Sequence, residues 1–162
     1  MQLAKAEGGG LLSTERHDLI SLLRLIVDDL KRSSGASLIK LKLPQDRTYL
    51  SDIDPDAFAI LVRNLLDNTI KYGAENQPVE ISFSSQGVLR IINAGHVIPA
   101  EQLAQLRQRF VRSNTTVRGS GLGLAIADAI VTGTGATMTL NSPATERADG
   151  FEVSVAFPLI KE

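Results

Sequence analysis

Two asparagines, a lysine and a tyrosine in segment 64–72 have side chains and a spacing that suit nucleotide and metal chemistry. Asn64, Asn68, Lys71 and Tyr72 stand at i, i+4, i+7 and i+8, so in a helix they share one face. A carboxamide oxygen can ligate a hard cation, an ammonium can bind phosphate, and a ring can pack beside a base. Asparagine is a mediocre helix former, so two on one face need an explanation. Taken alone, however, the segment also fits an ordinary solvated helix face.

A second segment is rich in glycine and leads into an apolar helix. It consists of Gly119, Ser120, Gly121, Leu122, Gly123 and Leu124. Alternating glycines let backbone N–H groups approach an anion, and the N-terminus of the helix adds free donors and a positive dipole end. The segment lacks the preceding strand of a dinucleotide fingerprint and the lysine of a Walker loop. By itself it is therefore equally consistent with a flexible hinge.

Two further polar segments are weaker signals when each is taken alone. In Ile91–Pro99, Asn93 leaves the end of a predicted strand and Gly95 follows closely. This arrangement fits a position that reads a base, and it equally fits a turn. The segment Arg107–Arg112 stands just before the glycine-rich segment and on its own fits a solvated basic helix end.

Hydrophobic periodicity predicts the elements that must position these segments. Helices are predicted from the capping residue Asp18 to about Arg32, from Asp54 to about Tyr72, near Ala100–Arg109, and from Gly121 to about Val131. Strands are predicted at Ser37–Leu43, Val79–Ser84, Val88–Asn93, Thr137–Asn141 and Phe151–Phe157, with Thr48–Ser51 as a possible short partner strand. Because the helices cluster between paired strands, the pattern indicates an α+β sandwich with a mixed sheet.

The composition limits the class of protein. The 162 residues are the size of one ordinary domain, and 17 basic against 18 acidic residues argue against a general nucleic-acid binder. The absence of cysteine and the presence of only two histidines exclude disulfides, cysteine-ligated metals and a multi-histidine zinc site. Apolar residues make up 43%, enough for a core, whereas no apolar run reaches the roughly 18 residues of a membrane span.

In this order the segments resemble the catalytic ATP-binding domain of bacterial sensor histidine kinases, a superfamily shared with type II topoisomerases, a heat-shock chaperone and mismatch-repair ATPases. Asn64–Tyr72 resembles the asparagine box, Ile91–Pro99 the first glycine box, Arg107–Arg112 the phenylalanine box and Gly119–Ala127 the second glycine box. The resemblance spans about residues 16–159. It implies a two-layer sandwich, with a mixed five-stranded sheet packed on three helices and an ATP lid between the two glycine boxes.

The resemblance also assigns roles to residues of the asparagine box. Asn68 matches the carboxamide that ligates Mg²⁺, and Asn64 lies one helical turn earlier. Lys71 matches a phosphate contact, and Tyr72 matches a ring that flanks adenine. The catalytic set implied in this way comprises Asn64, Lys71, Arg109 and Arg112, the last two matching lid arginines that approach the γ-phosphate.

The implied nucleotide site extends over the other boxes. Beyond the asparagine box it comprises Asn93, Gly95, Val97, Ile98, Phe110, Gly119, Ser120, Gly121, Leu122, Gly123 and Leu124. The glycines would hold phosphate through their backbone, and Asn93 would accept a hydrogen bond from the adenine amine.

Asn64 separates two activities within the superfamily. Members that hydrolyse ATP carry a glutamate at this position, where it activates water. An amide cannot serve as that general base. The sequence therefore fits transfer of the γ-phosphoryl group to a protein histidine, whose imidazole is the nucleophile.

Two positions depart from the family pattern. The family carries an aspartate at Asn93, and the loss of charge is expected to weaken adenine binding by about 1–2 kcal/mol, or about tenfold. Val97 replaces a glycine, and a β-branched residue should stiffen the lid hinge. Since an amide can also donate, a flipped Asn93 is expected to tolerate the carbonyl of guanine.

The resemblance predicts how the chain is organised and what it meets. Residues 1–10 are expected to be a remnant of the dimerisation and phosphoacceptor hairpin with its linker, and residues 11–162 the catalytic domain. The acceptor histidine is missing, and His17 fits a cap-region residue, so the chain alone is not expected to autophosphorylate. The expected partners are that hairpin and, through the full-length kinase, a response regulator, without contact to nucleic acid or membrane. The expected location is the cytosolic side of a bacterial inner-membrane receptor.

Other functions remain open at this point. The main alternative is a degenerate nucleotide-binding module with weak or no ATP binding, which acts through protein contacts. Asn93 and Val97 favour that alternative, whereas Asn68 and the glycine-rich segment oppose it. An ATPase of another branch is opposed by Asn64, and a serine-phosphorylating anti-sigma-type relative is opposed by the helix tail at Leu3–Glu7.

Overall fold

The computed structural model describes residues 11–34, 39–44, 47–72, 78–93, 97–111, 120–142, 144 and 149–158. The elements in chain order are β1 (Leu12–Asp18), α1 (Leu19–Ser34), β2 (Ile39–Lys42), β3 (Leu50–Ile53), α2 (Pro55–Tyr72), β4 (Val79–Phe83), β5 (Val88–Asn93), α3 (Ala100–Val111), α4 (Ser120–Gly133), β6 (Thr137–Asn141) and β7 (Phe151–Ala156). The predicted remnant in residues 1–10, including its helix tail, lies outside the described residues.

Five strands form the main sheet in the order β2-β4-β5-β7-β6. Strand β2 runs parallel to β4, and the other three pairs are antiparallel. A parallel pair needs a long crossover, which here runs through β3 and α2. The predicted α+β class with a mixed sheet is confirmed.

Alternate residues of the central strands bury one face of the sheet. Ile81 and Leu89 are fully buried, as are Leu61 and Leu65 of α2. On the other face Glu80 pairs with Lys42 across β4 and β2, with 3.0 Å between carboxylate oxygen and ammonium nitrogen. A mostly antiparallel sheet with one apolar and one polar face requires a single covering layer, which gives the two-layer sandwich.

Asp18 ends β1 and caps α1, as its sequence position predicts. Its carboxylate accepts a hydrogen bond from the backbone amide of Ile20 at 3.2 Å and from the hydroxyl of Ser21 at 2.6 Å. The same carboxylate also accepts from the amide of Tyr49 at 2.8 Å. The cap therefore joins the start of α1 to the chain that leads into β3.

A two-stranded sheet of β1 and β3 departs from the sequence prediction. The possible partner strand at 48–51 was expected beside the strand at 37–43, but β3 at Leu50–Ile53 pairs antiparallel with β1. Strand β1 was missed because most of its side chains are exposed and polar, so it shows no alternation of apolar residues. Backbone hydrogen bonds hold β1 in place, including one from the amide of Asp54 to the carbonyl of Leu11 at 2.7 Å.

The remaining differences concern element ends. Helix α1 continues to Ser34, α3 to Val111 and α4 to Gly133, each about two residues beyond its predicted end. Helix ends fray and carry weak sequence signals, so errors of this size are ordinary. Within the described part of the chain, none of the helices is long and apolar enough to cross a membrane.

Candidate functional site

Helix α2 carries the asparagine segment along the edge of the core. The carboxylate of Asp54 caps it by accepting from the amide of Ala57 at 3.0 Å, and Pro55 takes the first helical position. Leu65 is fully buried, whereas Asn64 is half-buried at the boundary of the core. The apolar stripe thus fixes the rotation of α2 and leaves the asparagine face at its margin.

The carboxamide of Asn93 lies buried where β5 ends. Its side chain is 2% exposed, and its Nδ2 donates to the backbone carbonyl of Thr69 in α2 at 3.2 Å. Its Oδ1 is buried and has no hydrogen-bond partner among the described residues. A buried acceptor without a partner costs about 1–3 kcal/mol, so a donor that reached this atom, such as one from a ligand, would be stabilising.

Contact with Thr69 orients that acceptor. A backbone carbonyl only accepts, so the NH₂ group of Asn93 must face Thr69 and its Oδ1 must face away. The flipped amide expected to tolerate guanine would place two acceptors against each other. The geometry therefore opposes that expectation and favours a ligand that donates, such as an amino group.

Thr69 is the residue of this site whose role the sequence did not reveal. It is fully buried, and its hydroxyl donates to the carbonyl of Leu65 at 2.7 Å. The pattern along α2 places it correctly among the apolar positions. Its contact with Asn93 uses the backbone, however, and a backbone carbonyl leaves no sequence signal.

In the first glycine box, Ile98 is hydrogen-bonded to the residue that follows β6. Ile98 is 8% exposed, and its amide donates to the hydroxyl of Ser142 at 2.8 Å, whereas Val97 is 42% exposed. The hydroxyl of Ser142 donates in turn to the carbonyl of Gly150 at 2.7 Å. Gly95 lies outside the described residues. Of these two residues predicted to contact the nucleotide, Ile98 thus lies in the core and Val97 lies at the surface.

The other predicted site residues are described by their backbone alone or not at all. Helix α2 contains Asn68, Lys71 and Tyr72 near its C-terminus, and α3 contains Arg109 and Phe110. Helix α4 begins at Ser120, so its first residues include Gly121, Leu122, Gly123 and Leu124. Gly119 and Arg112 lie outside the described residues. Their roles stay predictions.

Helices α2 and α4 pack against each other, and each carries one carboxylate with a shifted pKa. Burial raises the pKa of Asp67, an effect that the nearby Arg63 partly opposes. Burial also raises the pKa of Asp128. In both cases removal of the carboxylate from water disfavours its charged form.

The chain belongs to the family of histidine kinase-, DNA gyrase B- and HSP90-like ATPases. The model of that family matches residues 53–161, more than half of the chain, and covers both α2 and α4. Family membership makes it a nucleotide-binding domain of the kinase and ATPase type.

Within that family the relatives are sensor kinases. The chain is 33% identical over 135 residues to the sensor protein kinase PmrB of Pseudomonas aeruginosa. The aligned region covers 80% of this chain and 28% of PmrB. The chain is 28% identical over 138 residues to the sensor protein VanSC of Enterococcus gallinarum, covering 82% of this chain and 38% of VanSC. The chain therefore spans well under half the length of both relatives.

A solved structure confirms the fold assignment. The histidine kinase domain of the Escherichia coli osmosensor EnvZ is 24% identical and superimposes with a TM-score of 0.69, covering 95% of this chain and 94% of that domain. The family match and the sensor-kinase relatives, taken with this fold, indicate the ATP-binding catalytic domain of a two-component sensor histidine kinase, as the resemblance predicted.

Proposed function

We propose that this chain binds ATP with Mg²⁺ and transfers the γ-phosphoryl group to a histidine on a helical hairpin of the same receptor. The observation that carries the proposal is the buried Oδ1 of Asn93, which lacks a partner among the described residues. The exocyclic amine of adenine is a donor of the required kind. The fit supports an adenine nucleotide over a guanine nucleotide, whose carbonyl would meet an acceptor.

The phosphates and the metal would lie further along α2 and at the start of α4. Asn68 would hold Mg²⁺, which neutralises phosphate charge when it is bound. The first N–H groups of a helix have no intrahelical acceptor, so those at the start of α4, which begins at Ser120, would bind phosphate oxygens, and the two glycines there would let the anion approach. Lys71, Arg109 and Arg112 would supply positive charge to the phosphate oxygens.

The reaction that fits is phosphoryl transfer to nitrogen. The bond between the γ-phosphorus and its bridging oxygen breaks, ADP leaves, and a bond to the imidazole nitrogen forms as that ring loses its proton. Asn64 is an amide at the half-buried margin of α2, and an amide cannot deprotonate water. This supports transfer to histidine over hydrolysis.

The partners and the location follow from the same proposal. The acceptor would be the phosphoacceptor hairpin of the receptor, and the phosphoryl group would then pass to a response regulator. The chain would work on the cytosolic side of a bacterial inner-membrane receptor, with residues 1–10 leading in from the hairpin.

Phosphorylation of a separately supplied hairpin tests the proposal. The chain, the hairpin and γ-labelled ATP should yield acid-labile, alkali-stable label on the hairpin, in a reaction that requires Mg²⁺. Asn68→Ala should abolish both the labelling and the Mg²⁺-dependent nucleotide binding. Arg63→Ala is the matched control on the same helix, because Arg63 pairs with Asp29 on α1 at 2.8 Å.

Three outcomes would contradict the proposal. Nucleotide binding without labelling would refute the transfer step. Unchanged binding in Asn68→Ala would refute the metal site. A chain that binds no nucleotide at all would favour the degenerate module, which Val97 at the surface of the lid hinge also fits.

A further inference from the structure

One hydroxyl joins three segments at the end of the sheet where Asn93 lies. Ser142 follows β6 directly, and its Oγ accepts from the amide of Ile98 at 2.8 Å while donating to the carbonyl of Gly150 at 2.7 Å. Gly150 precedes β7 directly, at a φ of 89°. The hydroxyl uses both its donor and an acceptor lone pair, so its orientation is determined from both sides.

Sheet register places this hydroxyl close to the nucleotide position. Asn93 pairs with Phe151 across β5 and β7, and Asn141 pairs with Glu152 across β6 and β7. Gly150 and Ser142 are therefore the next residues beyond the ladder on their strands. The chain that leaves the sheet at Asn93 is held again five residues later, at Ile98.

We infer that Ser142 is a positioning residue for nucleotide binding, because it anchors Ile98, five residues after Asn93. The inference rests on the proposed function. The segment between the two anchors contains Gly95 and Val97, and α3 starts two residues after Ile98. The hydrogen bond at Ile98 therefore fixes one point of the chain between Asn93 and the start of α3.

The energetics of the contact favour a positioning effect over a large effect on folding. A hydrogen bond of this kind contributes modestly to stability, whereas loss of the hydroxyl leaves the buried Ile98 amide without its partner. The chain can recover by moving Ile98 toward water. That movement would displace the chain around Ile98 while the sheet stays intact.

The test compares serines at opposite ends of the same sheet. Ser142→Ala removes the anchor, Ser142→Thr keeps a hydroxyl, and Ser84→Ala removes the hydroxyl that accepts from the amide of Val88 at 3.1 Å in the turn before β5. We would measure the affinity for Mg²⁺-bound ATP by calorimetry, the free energy of unfolding, and hydrogen exchange of the Ile98 amide.

We expect Ser142→Ala to lose about tenfold in ATP affinity and to lose protection of the Ile98 amide. Ser142→Thr should restore both, and Ser84→Ala should lower stability similarly without changing affinity. Wild-type affinity in Ser142→Ala would overturn the inference, and so would an equal loss of affinity in Ser84→Ala. A wild-type chain that binds no nucleotide would instead refute the proposed function, and the inference with it.

Discussion

At the scale of single residues, Asn93 shows how an amide in place of the family's aspartate changes what the proposed site could recognise. An aspartate at this position could accept from both sides, whereas Asn93 uses its NH₂ group on the carbonyl of Thr69 and keeps one acceptor for a ligand. The amide therefore has a fixed direction, which a carboxylate would lack. The same contact joins β5 to α2, so recognition and packing share one side chain.

The hydrogen bond from Asn93 to the Thr69 carbonyl also affects how much the absence of a negative charge at position 93 weakens adenine binding. We expect Asn93→Asp to tighten ATP binding by less than tenfold, because its carboxylate would lie in a buried site beside the Thr69 carbonyl, now 3.2 Å from Nδ2. Titration calorimetry with ATP and inosine triphosphate measures this. The wild-type chain should prefer ATP, since inosine carries a carbonyl in place of the amine. A full tenfold gain, or a wild-type chain that binds both equally, would contradict the assigned geometry.

At the scale of elements, one carboxylate couples a helix cap to a strand. Asp18 caps α1, and its carboxylate also accepts a hydrogen bond from the backbone amide of Tyr49. The backbone carbonyl of Tyr49 in turn accepts from the amide of Leu19 at 2.8 Å. Desolvation raises the pKa of Asp18, but hydrogen bonds from the Ser21 hydroxyl and from the amides of Tyr49 and Ile20 outweigh it, and the pKa lies below its ordinary value of 3.8. Stability from this carboxylate is therefore present above pH 3.8 and is lost as the pH falls through the lowered value.

This linkage predicts the behaviour of Asp18→Asn. At about pH 7 the variant should be less stable by about 1 kcal/mol, because an amide replaces a charged acceptor that receives several hydrogen bonds. Well below pH 3.8 the difference should shrink, since the wild-type carboxylate is then protonated. Urea unfolding at both pH values measures the free energies, with Asp28→Asn on the exposed face of α1 as the control. A difference that stays constant with pH would contradict the assigned role.

At the scale of the whole molecule, aromatic rings at the end of the sheet farthest from Asn93 pack against α2. Phe157 lies between Phe58, at a ring distance of 5.8 Å, and Phe83, at 6.1 Å, and Tyr49 meets Phe83 edge-on at 5.3 Å. The backbone amide of Phe157 donates to the carbonyl of Gly87 at 2.9 Å. This cluster lies at the opposite end of the sheet from Asn93, so it is separate from the proposed nucleotide site.

Phe157→Ala should therefore lower the free energy of unfolding by about 3–5 kcal/mol, because it opens a cavity in the aromatic cluster. Leu12→Ala is the control, since the side chain of Leu12 is 51% exposed and should cost little. Denaturant unfolding followed by circular dichroism measures both. A loss below about 1 kcal/mol in Phe157→Ala would mean that the cluster does not support the fold.

Part of the fold and part of the site follow from sequence alone. Helix α2 and strands β4 and β5 were predicted to within a residue, because their buried faces repeat with the helical or the strand period. Strand β1 was missed and β3 was given the wrong partner, because these two strands pair through the backbone. The exposed polar side chains of β1 show no alternation of apolar residues in the sequence. The resemblance likewise named Asn93 as a recognition residue, whereas Thr69 and Ser142 received no role.

The sequence by itself determined the class of fold, the order of the four boxes and the family, because these depend on residue types and their spacing. Only the tertiary structure decided the direction of the Asn93 amide, set by the carbonyl of Thr69, and the anchoring of Ile98 by Ser142. The physical reason is the same in each case. These contacts join a side chain to a backbone atom far away in the chain, and a backbone atom is identical whichever residue carries it.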